Sequence, residues 1–194
     1  MSARVTPNGE VRKSHRQLAR PPFECIALLL QGGGALGAYQ AGVYEALSEA
    51  DLAPDWVAGI SIGAVNAALI AGNPPPARVE KLREFWKLIT GGGPWDGMAQ
   101  FATALPFGRS DFARGLLNQL SAGSALLGGA AAFFAPRVPG TLLQPSGSIE
   151  ATSYYDTSPL KATLERLVDF DRINAGETRF SIGAVNVTDR KSVV

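Results

Sequence analysis

Two glycine-bounded turns, each set between an apolar run and a helical pattern, constrain this chain more than any other feature. The first follows Cys25-Ile26-Ala27-Leu28-Leu29-Leu30-Gln31, an unbroken apolar run of the kind that suits a parallel strand buried on both faces. Cys25 is therefore expected to open a buried strand. The run passes into Gly32-Gly33-Gly34-Ala35-Leu36-Gly37, after which Leu36, Tyr39, Val43, Ala46, Leu47 and Ala50 recur at helical spacing. A second apolar run, Trp56-Val57-Ala58, leads into Gly59-Ile60-Ser61-Ile62-Gly63 and the helix-like segment Ala64–Ile70. Residues 26–60 thus read as one strand–helix–strand crossover, in which the strands are parallel and both turns lie at the carboxyl edge of the sheet. The expected fold is α/β, with a central, mostly parallel sheet flanked by helices.

The second turn places a serine at the apex of a tight strand-to-helix bend. Such a bend forces its central residue into a strained conformation, and Gly59 and Gly63 relieve the crowding around it. The Ser61 hydroxyl is left open at the sheet edge, where an acyl carbonyl can reach it. Neighbouring strands lie roughly 5 Å apart, so the amides of the first glycine cluster can face the same substrate. Amides at a helix start suit an anion, including the oxyanion of a tetrahedral acyl intermediate. Two other readings of the cluster stay open, an ordinary glycine turn and a dinucleotide fingerprint. The fingerprint needs an acidic residue at the end of the second strand, whereas Asp55 stands at its start. A phosphate-binding P-loop lacks its Lys-Ser/Thr pair.

A serine nucleophile usually draws its base from a histidine further along the chain. The single histidine, His15, precedes the first strand in a polar, basic segment. The serine must then work with a carboxylate, or with a partner outside this chain. One histidine and one cysteine build neither a zinc site of ordinary spacing nor a disulfide framework, so no metal and no cofactor are expected. A net charge of +1 argues against a dedicated nucleic-acid binder.

The stretches Gln31-Gly32-Gly33-Gly34-Ala35-Leu36-Gly37-Ala38-Tyr39-Gln40-Ala41-Gly42-Val43 and Gly59-Ile60-Ser61-Ile62-Gly63-Ala64-Val65-Asn66-Ala67-Ala68 resemble the catalytic domain of bacterial patatin-like phospholipases. The likeness is strong over residues 26–90 and looser over 154–187. It implies a three-layer α/β/α fold and a lipid acyl hydrolase of the phospholipase A or lysophospholipase kind, using a Ser–Asp dyad. By that resemblance Ser61 is the nucleophile, Gly32, Gly33, Gly34 and Gly37 form the oxyanion hole, and Gly59 and Gly63 frame the elbow. The family's aspartate sits in a later Asp-Gly-Gly or Asp-Gly-Ala motif, which this sequence lacks. The one Asp-Gly, Asp96-Gly97, is followed by Met98 and reads as a turn. Asp111, Asp156, Asp169 and Asp171 carry no supporting context. The chain as it stands is accordingly expected to be a truncated, inactive form of a lipid- or phospholipid-cleaving enzyme. A nucleotide-binding module or a non-catalytic fragment is the alternative, and the oligomeric state is open.

Residues 1–22 are polar and basic and read as a disordered tail, with a weak attraction to anionic headgroups as the alternative. No secretory signal or membrane-spanning run is evident, which suits a cytoplasmic or peripheral membrane location. Residues 23–188 form the expected catalytic domain, and 91–150, rich in Gly, Ala, Ser and Pro, a flexible cap or insertion. Helices are expected over Ala77–Ile89 and after Thr157-Ser158-Pro159, which supply a cap and an early proline. Ser181–Asn186 repeats Ser61–Asn66 letter for letter, but Arg179 stands where the elbow has Gly59, so a strand and no second elbow is expected over Arg179–Thr188. The final six residues, Asp189–Val194, match one reading frame of a common sequencing adapter. They are expected to be non-native, with the natural domain continuing beyond an incomplete C-terminus.

Overall fold

The computed structural model describes residues 21–90, 132–186 and 192–193. His15, Asp96, Gly97, Asp111, most of the expected tail and residues 91–131 of the expected cap lie outside them. The described chain divides into two compact units, one taking residues up to Arg83 and from Val168 onward, the other Glu84–Leu167.

In the first unit β1 (Ala27–Leu30) ends at the glycine cluster. A 3-10 turn (Gly34–Leu36) then enters α1 (Gly37–Glu49), and β2 (Trp56–Ile60) passes through Ser61 into α2 (Ile62–Ala71). Next come α3 (Pro75–Thr90), the short strands β3 (Ala135–Pro136) and β4 (Tyr155–Asp156), α4 (Ser158–Leu167), α5 (Phe170–Ala175), β5 (Arg179–Val185) and β6 (Ser192–Val193). The main sheet runs β1-β2-β5-β6, with β1, β2 and β5 parallel and β6 antiparallel to β5. The fold is therefore α/β, a mostly parallel sheet with flanking helices, consistent with a three-layer α/β/α arrangement.

The register sorts the sheet's two faces. Leu28, Val57 and Phe180 share one row, and Leu30, Gly59 and Ile182 the next. Against this face lies α2, with Val57, Leu69 and Ile70 at 0–1% exposure. Nine of its ten residues are buried, as a helix apolar all round requires. The opposite face carries Leu29, Ile60 and Val185, which stay exposed among the described residues. This corrects the reading of β1 as buried on both sides: burial alternates along it, and Cys25 is exposed and precedes the strand.

The face of α1 that is buried also differs from the apolar stripe in its sequence. Leu36 and Tyr39 are exposed, whereas Gly37 and Tyr44 are buried. The helix packs on α2, and its inward line is drawn by a glycine and by hydrogen bonding as well as by hydrophobicity. Arg78 of α3, 3% exposed, ties this unit together. Its Nε donates to the Asn73 carbonyl at 2.9 Å, Nη1 to the Tyr44 hydroxyl at 3.4 Å and Nη2 to Thr178 Oγ1 at 2.8 Å.

In the second unit β3 and β4 pair antiparallel, and the Phe134 and Tyr155 rings meet edge to face at 4.7 Å. The Thr163 hydroxyl on α4 donates to the Ala132 carbonyl at 2.8 Å. Asp156 Oδ1 accepts from both the amide and the hydroxyl of Ser158, anchoring the start of α4.

Candidate active site

The end of β2 and the start of α2 leave no room for side chains at two positions. A Cβ at Gly59 would lie 2.2 Å from the Gly63 carbonyl oxygen, and one at Gly63 would lie 2.1 Å from that of Leu30. Between them Ser61 takes φ 55° and ψ −126°, a conformation that costs an L-residue of order 1–3 kcal/mol and persists only when its surroundings over-determine it. The two glycines are those surroundings, because they let α2 start hard against the ends of β1 and β2. The Ser61 side chain is exposed at the apex, and its carbonyl already accepts the first helical bond, from Ala64 N at 2.9 Å.

The glycine loop stands beside this serine. A Cβ at Gly32 would lie 3.2 Å from Ser61 Cβ, 3.6 Å from the Ile60 carbonyl oxygen and 3.9 Å from Ser61 Oγ. Gly33 and Gly34 are exposed and hold φ of 151° and 56°, and Gly34 opens the 3-10 turn, whose first amides have no intrahelical acceptor. Gly37 differs from the expectation. It is buried, its N–H already donates to the Gly34 and Ala35 carbonyls, and its own carbonyl accepts from Asn66 Nδ2 at 2.9 Å. An amide so engaged is not a free donor, so Gly37 supports the loop's shape instead.

The carboxylates have local tasks. Asp55 Oδ2 accepts from the Ile26 amide at 2.7 Å where β2 begins, at the opposite end of the sheet from the glycine loop. That is the wrong edge for holding a ribose beside the loop. Asp169 caps α5 through the Arg172 amide at 3.0 Å, and Asp171 lies exposed in the same first turn. The Asp156 carboxyl is held below the usual aspartate range by the Ser158 side-chain and backbone bonds. Ser181, the second copy of the elbow serine, lies inside β5 and accepts from Trp56 Nε1 at 3.1 Å. Among the described residues no cluster of three His, Cys, Asp or Glu could hold a metal, and no helix is long and apolar enough to cross a membrane.

Sequence reasoning missed two members of this site, Asn66 and Gln40. Asn66 Nδ2 donates to Gln40 Oε1 at 3.0 Å as well as to Gly37, and Gln40 Nε2 donates to the Gln31 carbonyl at 2.7 Å. The signal was there to read: a lone polar side chain in an otherwise apolar helix needs buried partners.

A family model for patatin-like phospholipases matches residues 28–193. Among curated proteins, lysophospholipase nte1 of Aspergillus terreus is 47% identical over 57 residues, 29% of this chain and 4% of that protein. Human patatin-like phospholipase domain-containing protein 6 is 44% identical over 66 residues, 34% of this chain and 5% of that protein. The neuropathy target esterase sws of Drosophila melanogaster is 42% identical over 66 residues, again 34% of this chain and 5% of that protein. The matched stretches thus cover only a small part of these much longer relatives. No solved structure matches.

Proposed function

This chain belongs to the patatin-like phospholipase family, and from that premise we propose that it supplies the nucleophile and oxyanion donors of a serine lipid acyl hydrolase. The observation that carries the reading is Ser61, strained and exposed at its elbow with the glycine loop within van der Waals reach. Ser61 Oγ attacks the ester carbonyl carbon of an acyl lipid, and the carbonyl electron pair moves onto oxygen. The amides of Gly32, Gly33 and Gly34 receive that oxyanion, and the positive end of the α2 dipole favours it further. The alcohol or lysolipid leaves with a proton, and water then releases the fatty acid from the acyl-serine.

The proton acceptor is a carboxylate in a Ser–Asp pair, and the family's aspartate motif is not among these 194 residues. Without that base the rate falls by about 10²–10⁴, so the chain alone is expected to turn over little or no substrate. Lysophospholipids and phospholipids are the substrate class, met at a membrane surface by peripheral contact. A fluorophosphonate probe tests the reading: at high concentration and over hours, to offset the missing base, it should form a phosphoryl adduct on Ser61 of the folded chain, and Ser61→Ala should abolish labelling. Equal labelling of the two proteins, or an adduct mapped elsewhere, overturns it.

A further inference from the structure

Asn66 is 1% exposed on a helix whose other inward residues are small or apolar. A buried side-chain amide costs free energy unless its polar atoms are bonded, and the bonds Asn66 makes are specific. Its Nδ2 donates directly to the carbonyl of Gly37 and to the side chain of Gln40, which passes a further bond to the carbonyl of Gln31. Gln31 and Gly37 are the residues that open and close the glycine loop. The helix carrying Asn66 is also the one that starts at the elbow, five residues after Ser61. Both ends of the loop are therefore fastened to the element that sets the serine.

The loop needs such fastening. Its conformation rests on glycines at positive φ, which have more freedom to lose than other residues. It also sits at the end of β1, an outer strand of the main sheet among the described residues. We propose that Asn66 and Gln40 are positioning residues, an amide clamp that holds the Gly32–Gly34 amides in register with the Ser61 hydroxyl. The catalytic part of this inference rests on the proposed role of Ser61; the mechanical part does not.

Two conservative variants of the full chain test it. Asn66→Asp keeps the shape and removes both donated bonds. Gln40→Glu, at a half-buried position, keeps an acceptor toward Asn66 but loses the donor to Gln31. Melting temperature and circular dichroism establish that each variant is folded; Gln40→Glu serves if Asn66→Asp is not. Hydrogen–deuterium exchange of the peptide covering 31–37 reads the clamp itself, and should rise about tenfold on losing one such bond. The limiting rate of fluorophosphonate labelling reads its consequence, and should fall about 10–100-fold with the half-saturating probe concentration unchanged. Unchanged exchange in a folded variant overturns the clamp. Faster exchange with an unchanged limiting rate overturns its positioning role. A wild-type chain that is not labelled at Ser61 sinks the nucleophile assignment instead, and exchange alone then decides whether the clamp exists.

Discussion

A methyl group at Gly63 would meet the Leu30 and Gln31 carbonyl oxygens at 2.1 and 2.7 Å, and both are backbone atoms that cannot swing aside. Gly63→Ala should therefore cost about 3 kcal/mol or more, at the upper end of overpacking effects, read as a fall in the denaturant midpoint. Gly34→Ala is the informative contrast. Its φ of 56° is left-handed, yet a Cβ there meets nothing within 4 Å, so the cost should be only the conformational penalty of about 1–2 kcal/mol. Both were visible in the sequence as glycines. Only the packing shows that one is required by contact and the other by its dihedral angles. The tight turn at Ser61 was legible too, because glycines two residues to either side, between an apolar run and a helical pattern, mark a sharp strand-to-helix bend. For Asn66 only the need for partners was legible, as a polar residue in an apolar helix; that they are Gln40 and the Gly37 carbonyl was not, since the fold brings them near and no residue pattern marks a carbonyl.

At the scale of elements, α2 is the member on which the site depends, being buried against β1, β2 and β5 at once. Leu69→Ala should destabilise the chain by about 2–5 kcal/mol, measured by urea unfolding. Arg78 gives the polar counterpart, a buried cation held by a carbonyl and two hydroxyls. Hydrogen bonds to charged groups are worth about 1.5–3 kcal/mol each. Arg78→Lys, which cannot span all three acceptors, should lower stability by at least one such bond. In the second unit, Asp156 makes α4 sensitive to acid. Its carboxyl sits below its ordinary value of 3.8 because the ionised form accepts two bonds from Ser158. A depressed carboxyl contributes stability above its unfolded value and loses it as pH falls through the folded one. Acid titration followed by circular dichroism should show that loss below the ordinary value, and Asp156→Asn should remove its pH dependence. The lengths of α3 and α4 were readable from their apolar spacing, because each presents one face to a core. The inward face of α1 was not, because Gly37 and the amide of Asn66 decide it.

For the whole molecule, the clearest lesson lies in one hexapeptide used twice. Ser61–Asn66 turns the corner and enters a helix, while Ser181–Val185 lies flat in β5 as the parallel neighbour of β2. The first copy follows Gly59 and runs on into alanines and leucine, which favour a helix. The second follows Arg179 and Phe180 and runs on into Val187 and Thr188, which favour a strand. What the residues determined by themselves was the crossover, the parallel sheet and the serine at its edge, because apolar runs and glycines act locally through burial and backbone sterics. The nearness of glycine loop to serine, the engagement of Gly37 and the clamp through Asn66 were decided by the tertiary structure alone. Each depends on groups far apart in the chain whose distances exist only once β1 and β2 pair and α2 packs against them.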